Sequence, residues 1–163
     1  MSPREYVLEA AKYALLTGAV IALVYVGNTF TVARVEDNFT FMKPHVDGGQ
    51  IVLLDSRPVR SGDLQPEDMV CYRHTSPERV SNRVGRILAL PGETFQIHDG
   101  QLIVDNRIRN TAAIAGISRY NVPPIMVPAG HLLIMFDRPF GTDPQIHRQL
   151  VALSEIRGRV LWK

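Results

Sequence analysis

No charged residue interrupts the chain between Tyr13 and Ala33, and that narrows the folds open to it more than any other feature. The stretch contains Ala14-Leu15-Leu16 and then Ala19-Val20-Ile21-Ala22-Leu23-Val24-Tyr25-Val26. Its 21 residues, as a helix rising about 1.5 Å each, cover roughly the 30 Å hydrocarbon thickness of a bilayer. Thr17, Asn28, Thr29 and Thr31 are its polar members, most of them toward the C-terminal end. Arg4 and Lys12 precede the stretch, while Glu36 and Asp37 follow close after Arg34. That positive bias puts residues 1–12 in the cytoplasm and residues 34–163 outside it.

Three other origins for such a stretch fit less well. A cleavable signal peptide has a shorter apolar core and a small-residue cleavage site, and Ala33-Arg34-Val35 is a poor one. A buried core helix carries a polar stripe, which is missing here. A mitochondrial presequence is amphipathic and poor in acids, against Glu9 and the long apolar stretch. An uncleaved single-pass anchor over residues 13–33 is the expectation.

The remainder is long enough for one modest core and too short for two independent domains. A net charge of +2 with scattered basic residues offers no nucleic-acid face. One cysteine, Cys71, excludes an internal disulfide. Neither a repeat nor a low-complexity segment is present.

After residue 34 short apolar stretches alternate with Gly, Pro, Asp and Asn, the punctuation of many short strands. The candidates are Gln50 to Leu54, Met69 to Tyr72, Arg86 to Leu90, Thr94 to Ile97, Gln101 to Val104, His131 to Phe136, and Ile156 to Trp162. Asp99-Gly100 between two of them signals a hairpin. The polar stretch 107–124, with Asn110-Thr111-Ala112-Ala113 and Asn121-Val122-Pro123-Pro124, reads as an excursion from the sheet. The fold class expected is therefore mainly β: one transmembrane helix followed by a coiled antiparallel sheet or partial barrel.

Several short boxes occur along this chain in a recognisable order. They are Phe41-Met42-Lys43-Pro44, Asp68-Met69-Val70, and Arg86-Ile87-Leu88-Ala89-Leu90-Pro91-Gly92-Glu93. Asp99-Gly100-Gln101-Leu102-Ile103-Val104-Asp105-Asn106, Val127-Pro128-Ala129-Gly130-His131, Met135-Phe136-Asp137-Arg138, Thr142-Asp143-Pro144-Gln145 and Ile156-Arg157-Gly158-Arg159 follow. The series resembles that of type I signal peptidases, membrane-anchored serine proteases, over nearly the whole chain. Leu-Pro-Gly-Glu alone is a turn that any protein can contain; the order of the boxes behind an anchor carries the resemblance.

The resemblance implies a serine hydroxyl that attacks the scissile carbonyl and a buried neutral lysine that takes its proton. Burial is what lowers the lysine pKa enough for that role. It also implies a groove where a preprotein lies extended, as an added strand. On the family's Ser-Met-x-Pro box the serine position holds Phe41, and on its Lys-Arg box the lysine position holds Gly85. The Gly before the later Asp is Phe136, and residues around Asp143, which matches an acid of a structural ion pair, have become Pro144 and Gln145.

A register shift of one residue brings in Thr40 as an alternative nucleophile. The three lysines, Lys12, Lys43 and Lys163, leave no match for the base, and the flanking Arg83 and Arg86 stay protonated at any working pH. None of His45, His74, His98, His131 and His147 aligns with position 85, so His45 near Thr40 is the pairing to examine. Ser56, Ser61 and Ser81 are further hydroxyls for a divergent active peptidase.

Cys71 and His74 have a metal-like spacing with too few partners, and nothing in the sequence asks for a cofactor. Asp55, Asp63, Glu67 and Asp68 read as solvated acids on turns.

The expectation is a catalytically inactive, signal-peptidase-like membrane protein, with no catalytic residue and a binding groove around Phe41, Met42 and Pro44. It would act as a binding, structural or assembly subunit of a membrane complex. Its partners would be the bilayer through residues 13–33, a membrane protein, and signal peptides if the groove stays open. The alternative is an active serine or threonine peptidase that processes signal peptides. The spacing of the boxes looks more bacterial, favouring a plasma membrane with the β domain periplasmic over an organellar inner membrane.

Overall fold

A single helix, α1 (Pro3–Thr29), leads into a domain built from strands. The structure is a computed structural model and describes residues 3–109, 121–138 and 150–162. Residues Tyr6–Thr29 of α1 form a 24-residue stretch long and apolar enough to cross a membrane, exposed along its length up to the buried Thr29 at its end. Leucines, valines and tyrosines lie open on every side of it. A helix whose body is apolar all round has the character of a membrane-spanning segment.

The helix stops earlier than the charge-free stretch does. Phe30–Arg34 form strand β1, antiparallel to β2 (Ile51–Asp55), with Phe30 opposite Asp55 and Arg34 opposite Ile51. The boundary of 13–33 is thus corrected to a helical end at Thr29. Absence of charge carries no period, and the β-branched pair Thr31-Val32 in a strand with buried Ala33 suits a pleated edge.

The first sheet runs β1, β2, β11 (Ile156–Trp162), β3 (Met69–Thr75), β4 (Val80–Ala89), β9 (His131–Met135), β10 (Leu150–Ala152). The second runs β7 (Arg107–Arg109), β6 (Gln101–Val104), β5 (Thr94–His98), β8 (Val122–Met126). Among the described residues every pairing is antiparallel, and the sheets keep open edges without closing into a barrel. The mainly β fold behind one apolar helix is the one expected from the sequence.

The second half of β4 and strand β9 carry the architecture because both of their faces are buried. Val84, Ile87, Leu132 and Ile134 face a core closed by Val35, Phe39, Met42 and Val46 from the loop after β1. Leu88, Ala89, Leu133 and Met135 face the other way, onto Phe95, Ile97, Leu102 and Val104 of the second sheet. Such strands read as continuous apolar runs instead of alternating ones. A bulge between Ile87 and Ala89 bends β4 where the two cores meet.

Turn chemistry links the sheets. Leu90-Pro91-Gly92-Glu93 is a tight turn with Gly92 at φ 85°, closed by the Glu93 N–H on the Leu90 carbonyl. Proline then glycine is what a type II turn requires. Asp99 and Gly100 both have positive φ and join β5 to β6 in a type I′ hairpin. Asp105 and Asn106 repeat this geometry between β6 and β7. The excursion expected over 107–124 is therefore bounded by paired strands at both ends, and Asn110-Thr111-Ala112-Ala113 lie outside the described residues.

Candidate functional site

The loop from Val35 to Val46 folds across the first core with Val35, Phe39, Met42 and Val46 pointing in. Phe41 sits half-buried on its rim. Its ring meets Phe39 edge-on at 5.4 Å between centroids, and Phe136 at 5.6 Å. Phe39 and Phe136 close the triangle at 5.2 Å and 79°. The backbone fixes the same contact, since the Arg138 N–H donates to the Phe41 carbonyl at 2.8 Å. Met42 is 0% exposed and its sulfur accepts the Asp137 N–H at 3.4 Å. Met42 was expected to line a groove and is corrected to core; a thioether fills that irregular space without leaving a polar group unpaired. Pro44 is exposed and Phe41 partly so.

Gly85 lies in β4, directly opposite Val70 of β3. A Cβ built there would stand 2.3 Å from Cγ2 of Ile134, 3.3 Å from the Met135 carbonyl oxygen and 3.7 Å from Cδ1 of Phe136. Ile134 and Phe136 therefore fill the space a side chain at 85 would enter. Phe136, which follows β9, touches the region of both positions and is 6% exposed.

Beside this apolar block lies a buried charge. Asp137 is 2% exposed and takes both prongs of Arg86, Nε to Oδ1 at 2.9 Å and Nη2 to Oδ2 at 3.0 Å. Arg86 Nη1 donates in turn to the Glu67 carbonyl at 3.0 Å, so the guanidinium is held on both sides. His45 Nδ1 stands 3.0 Å from Asp137 Oδ2, at ion-pair distance, but its ring N–H direction makes no hydrogen bond. His45 is thus turned toward a carboxylate.

The other candidates are accounted for individually. Lys43 reaches out to Asp47 at 2.8 Å, with both groups in solvent. Thr40 is exposed and its hydroxyl has no hydrogen-bond partner among the described residues. Ser56 donates to the Thr29 carbonyl at 2.9 Å and Ser81 to Glu36 at 3.2 Å. The Ser61 side chain and the 142–145 box, including Asp143, lie outside the described residues. Among the described residues no serine or threonine hydroxyl hydrogen-bonds a lysine or histidine nitrogen.

Asp55 departs from its reading as a solvated acid. It is 1% exposed at the end of β2, and Arg57 folds back on it through its backbone N–H at 2.9 Å and its guanidinium at 2.9 and 3.0 Å. Those bonds, with Arg57 and Arg159 charges, hold the Asp55 carboxyl below the usual range although burial works the other way. Gly158 of the last box has a packing cause: a Cβ there would press on the Asp55 carbonyl at 2.9 Å and Leu54 Cβ at 3.0 Å. Cys71 is buried, which pushes its thiol up to about 12, and His74, three residues on in the same strand, faces the opposite side. No group of three His, Cys, Asp or Glu that could hold a metal ion occurs among the described residues.

Comparison with known proteins identifies the family of the chain. No curated protein matches the chain. A solved signal peptidase I from Enterococcus faecalis V583 is 21% identical, with a TM-score of 0.48 over 60% of this chain and 96% of that one. The family model described as signal peptidase, peptidase S26, matches residues 10–162. That span takes in most of α1, both sheets and every box named above, and so the chain belongs to the signal peptidase family, peptidase S26.

Proposed function

We propose that this chain is a membrane-anchored member of its family that does not hydrolyse peptides and instead serves as a binding, structural or assembly subunit of a membrane complex. The observation that carries this reading is the contact of Phe136 with both Phe41 and the space above Gly85. These are the positions where the family resemblance puts a hydroxyl and an amine. A phenyl ring has no lone pair to attack a carbonyl, and glycine has no group to accept a proton. Among the described residues the apolar packing holds no buried amine whose pKa burial would lower.

The anchor is α1, with its N-terminus in the cytoplasm and the β domain on the outer side, on the strength of Arg4 and Lys12 before the apolar stretch. A scaffold presented at the bilayer, with its reactive positions filled by packed rings, offers surfaces to another membrane protein.

The test uses the full chain purified in mild detergent with a preprotein carrying small residues at its signal-peptide junction, beside an active signal peptidase. The control cleaves and this chain yields no product. A defined cut that disappears on Thr40→Val overturns the reading in favour of an active peptidase. Retention of the uncut preprotein on the immobilised chain marks capture without cleavage, and it overturns the assembly role in favour of a signal-peptide binder.

A further inference from the structure

The outer end of α1 is clamped by the corner that follows β2. Helix α2 (Arg57–Ser61) begins there, with Ser56 just before it. The Ser56 N–H and hydroxyl both donate to the Thr29 carbonyl, at 3.0 and 2.9 Å, and the hydroxyl also reaches the Asn28 carbonyl at 3.1 Å. Arg60 donates to the Asn28 carbonyl as well, and to Ser56 Oγ at 2.8 Å. A cation on the last carbonyls of a helix complements the negative end of its dipole. Arg57 lies 5.4 Å over the ring of Phe30 and hydrogen-bonds the Tyr25 side chain besides Asp55.

Two guanidinium groups are therefore fixed level with the last turns of α1. The 24-residue stretch Tyr6–Thr29 is about 36 Å long at 1.5 Å per residue, slightly more than the ~30 Å apolar thickness of a bilayer. If α1 spans the membrane, as the functional reading has it, Tyr25, Arg57 and Arg60 stand at the headgroup level. An exposed tyrosine there matches the aromatic belt of membrane proteins.

The charge at this corner does not cancel. Asp55 balances Arg57, and Asp68, 3.6 Å from Arg159, balances Arg159, while Arg60 has no carboxylate within 4.0 Å among the described residues. A planar fork with spare donors beside an apolar helix suits a phosphate whose acyl chains run down that helix.

We propose that Arg57 and Arg60, beside Tyr25, form a docking surface for the phosphate of an anionic phospholipid at the outer end of α1. Arg60 supplies the unbalanced charge, and Arg57 shapes the surface while held by Asp55. The proposal rests on α1 crossing the membrane.

The full chain, expressed in membranes, is first extracted with alkaline carbonate; staying in the membrane fraction is the readout for the spanning helix. It is then purified in mild detergent, mixed with phosphatidylglycerol and phosphatidylcholine in equal amounts, and the retained lipids are counted by native mass spectrometry. The wild type is expected to retain phosphatidylglycerol in preference. Arg60→Gln should lower that retention severalfold, Arg60→Lys should keep part of it, and Arg79→Gln, on an exposed arginine outside this corner, should leave it unchanged. Equal retention of both lipids by the wild type, or undiminished preference in Arg60→Gln, overturns this proposal while the spanning helix stands. Release by carbonate overturns both.

Discussion

The rings of Phe41 and Phe136 lie 5.6 Å apart with their planes tilted by 31°, one on the rim of the core and the other inside it. This contact ties the first box of the chain to the strand end that carries Asp137. Removing either ring should therefore loosen the same region, to different degrees. Phe136→Ala, at a buried site, is expected to cost about 3–5 kcal/mol, and Phe41→Ala about 1–3 kcal/mol because part of its ring already faces solvent. The double variant should fall short of the sum by about 0.5–1.5 kcal/mol, the worth of an aromatic pair. Denaturant unfolding in detergent measures all three, and a neutral Phe41→Ala would show that the ring does not pack.

Gly85 gives the second prediction. Its φ lies outside the left-handed region, so alanine suits the backbone and would ordinarily gain about 0.5–1 kcal/mol in a strand. Steric conflict with Ile134 Cγ2 reverses that sign, and Gly85→Ala is expected to destabilise by about 1–3 kcal/mol. Ile134→Ala removes the clashing atom, so its combination with Gly85→Ala should be less destabilised than the sum. By the same packing, Phe41→Ser with Gly85→Lys should fold poorly and fail to cleave a preprotein. Cleavage by that pair would mean the cleft keeps room for a lysine.

What the sequence disclosed follows from which signals have a period or a fixed chemistry. Asp99-Gly100 announced a hairpin because type I′ geometry demands positive φ twice, and few residues tolerate that. The apolar runs of β4 and β9 were readable as strands, yet not as strands buried on both faces, since a run without alternation does not say what covers it. The start of β4, Val80-Ser81-Asn82-Arg83, was missed because its polar residues serve as partners for Glu36 and Arg157 instead of facing bulk water. Phe41 and Gly85 were legible as positions in boxes. That Phe136 packs between them was not, because it depends on a contact across 51 residues of chain between positions 85 and 136. Asp55 escaped because an i,i+2 ion pair has no sequence signature in a strand end.

Arg86 and Asp137 provide a third test. Asp137 is buried and receives two charge-assisted bonds, so removing the guanidinium strands a carboxylate in the core. Arg86→Met is expected to cost about 3–5 kcal/mol. Replacing both, Arg86→Met with Asp137→Leu, should restore most of that, since no buried charge remains. The exposed Arg34–Asp37 pair is the control, with about 0–1 kcal/mol expected on its removal. Equal effects from the two pairs would place Asp137 in water.

Stability should fall at both ends of the pH range, for separable reasons. Burial, assisted by the Arg83 charge, holds His74 below its ordinary value. The folded chain thus binds that proton less readily than the unfolded one. Stability from His74 is fully present above about pH 6.5 and is lost as pH falls through its lower folded value. For Glu36 burial acts to raise the pKa, but hydrogen bonds and charges from Arg83, Ser81 and Arg79 outweigh it and hold the carboxyl low. With Asp55 it adds an acid loss that starts below about pH 4. On the alkaline side burial pushes Cys71 up to about 12, so the unfolded thiol ionises first, and stability is lost from about pH 8.5 upward. Melting temperatures between pH 3 and 10 read the whole profile. His74→Asn should flatten the loss that begins as pH falls below about 6.5, and Cys71→Ala the one above about pH 8.5. A wild-type profile without loss just below about pH 6.5 would place His74 in solvent, and an unchanged alkaline arm in Cys71→Ala would show that the Cys71 thiol does not drive that loss.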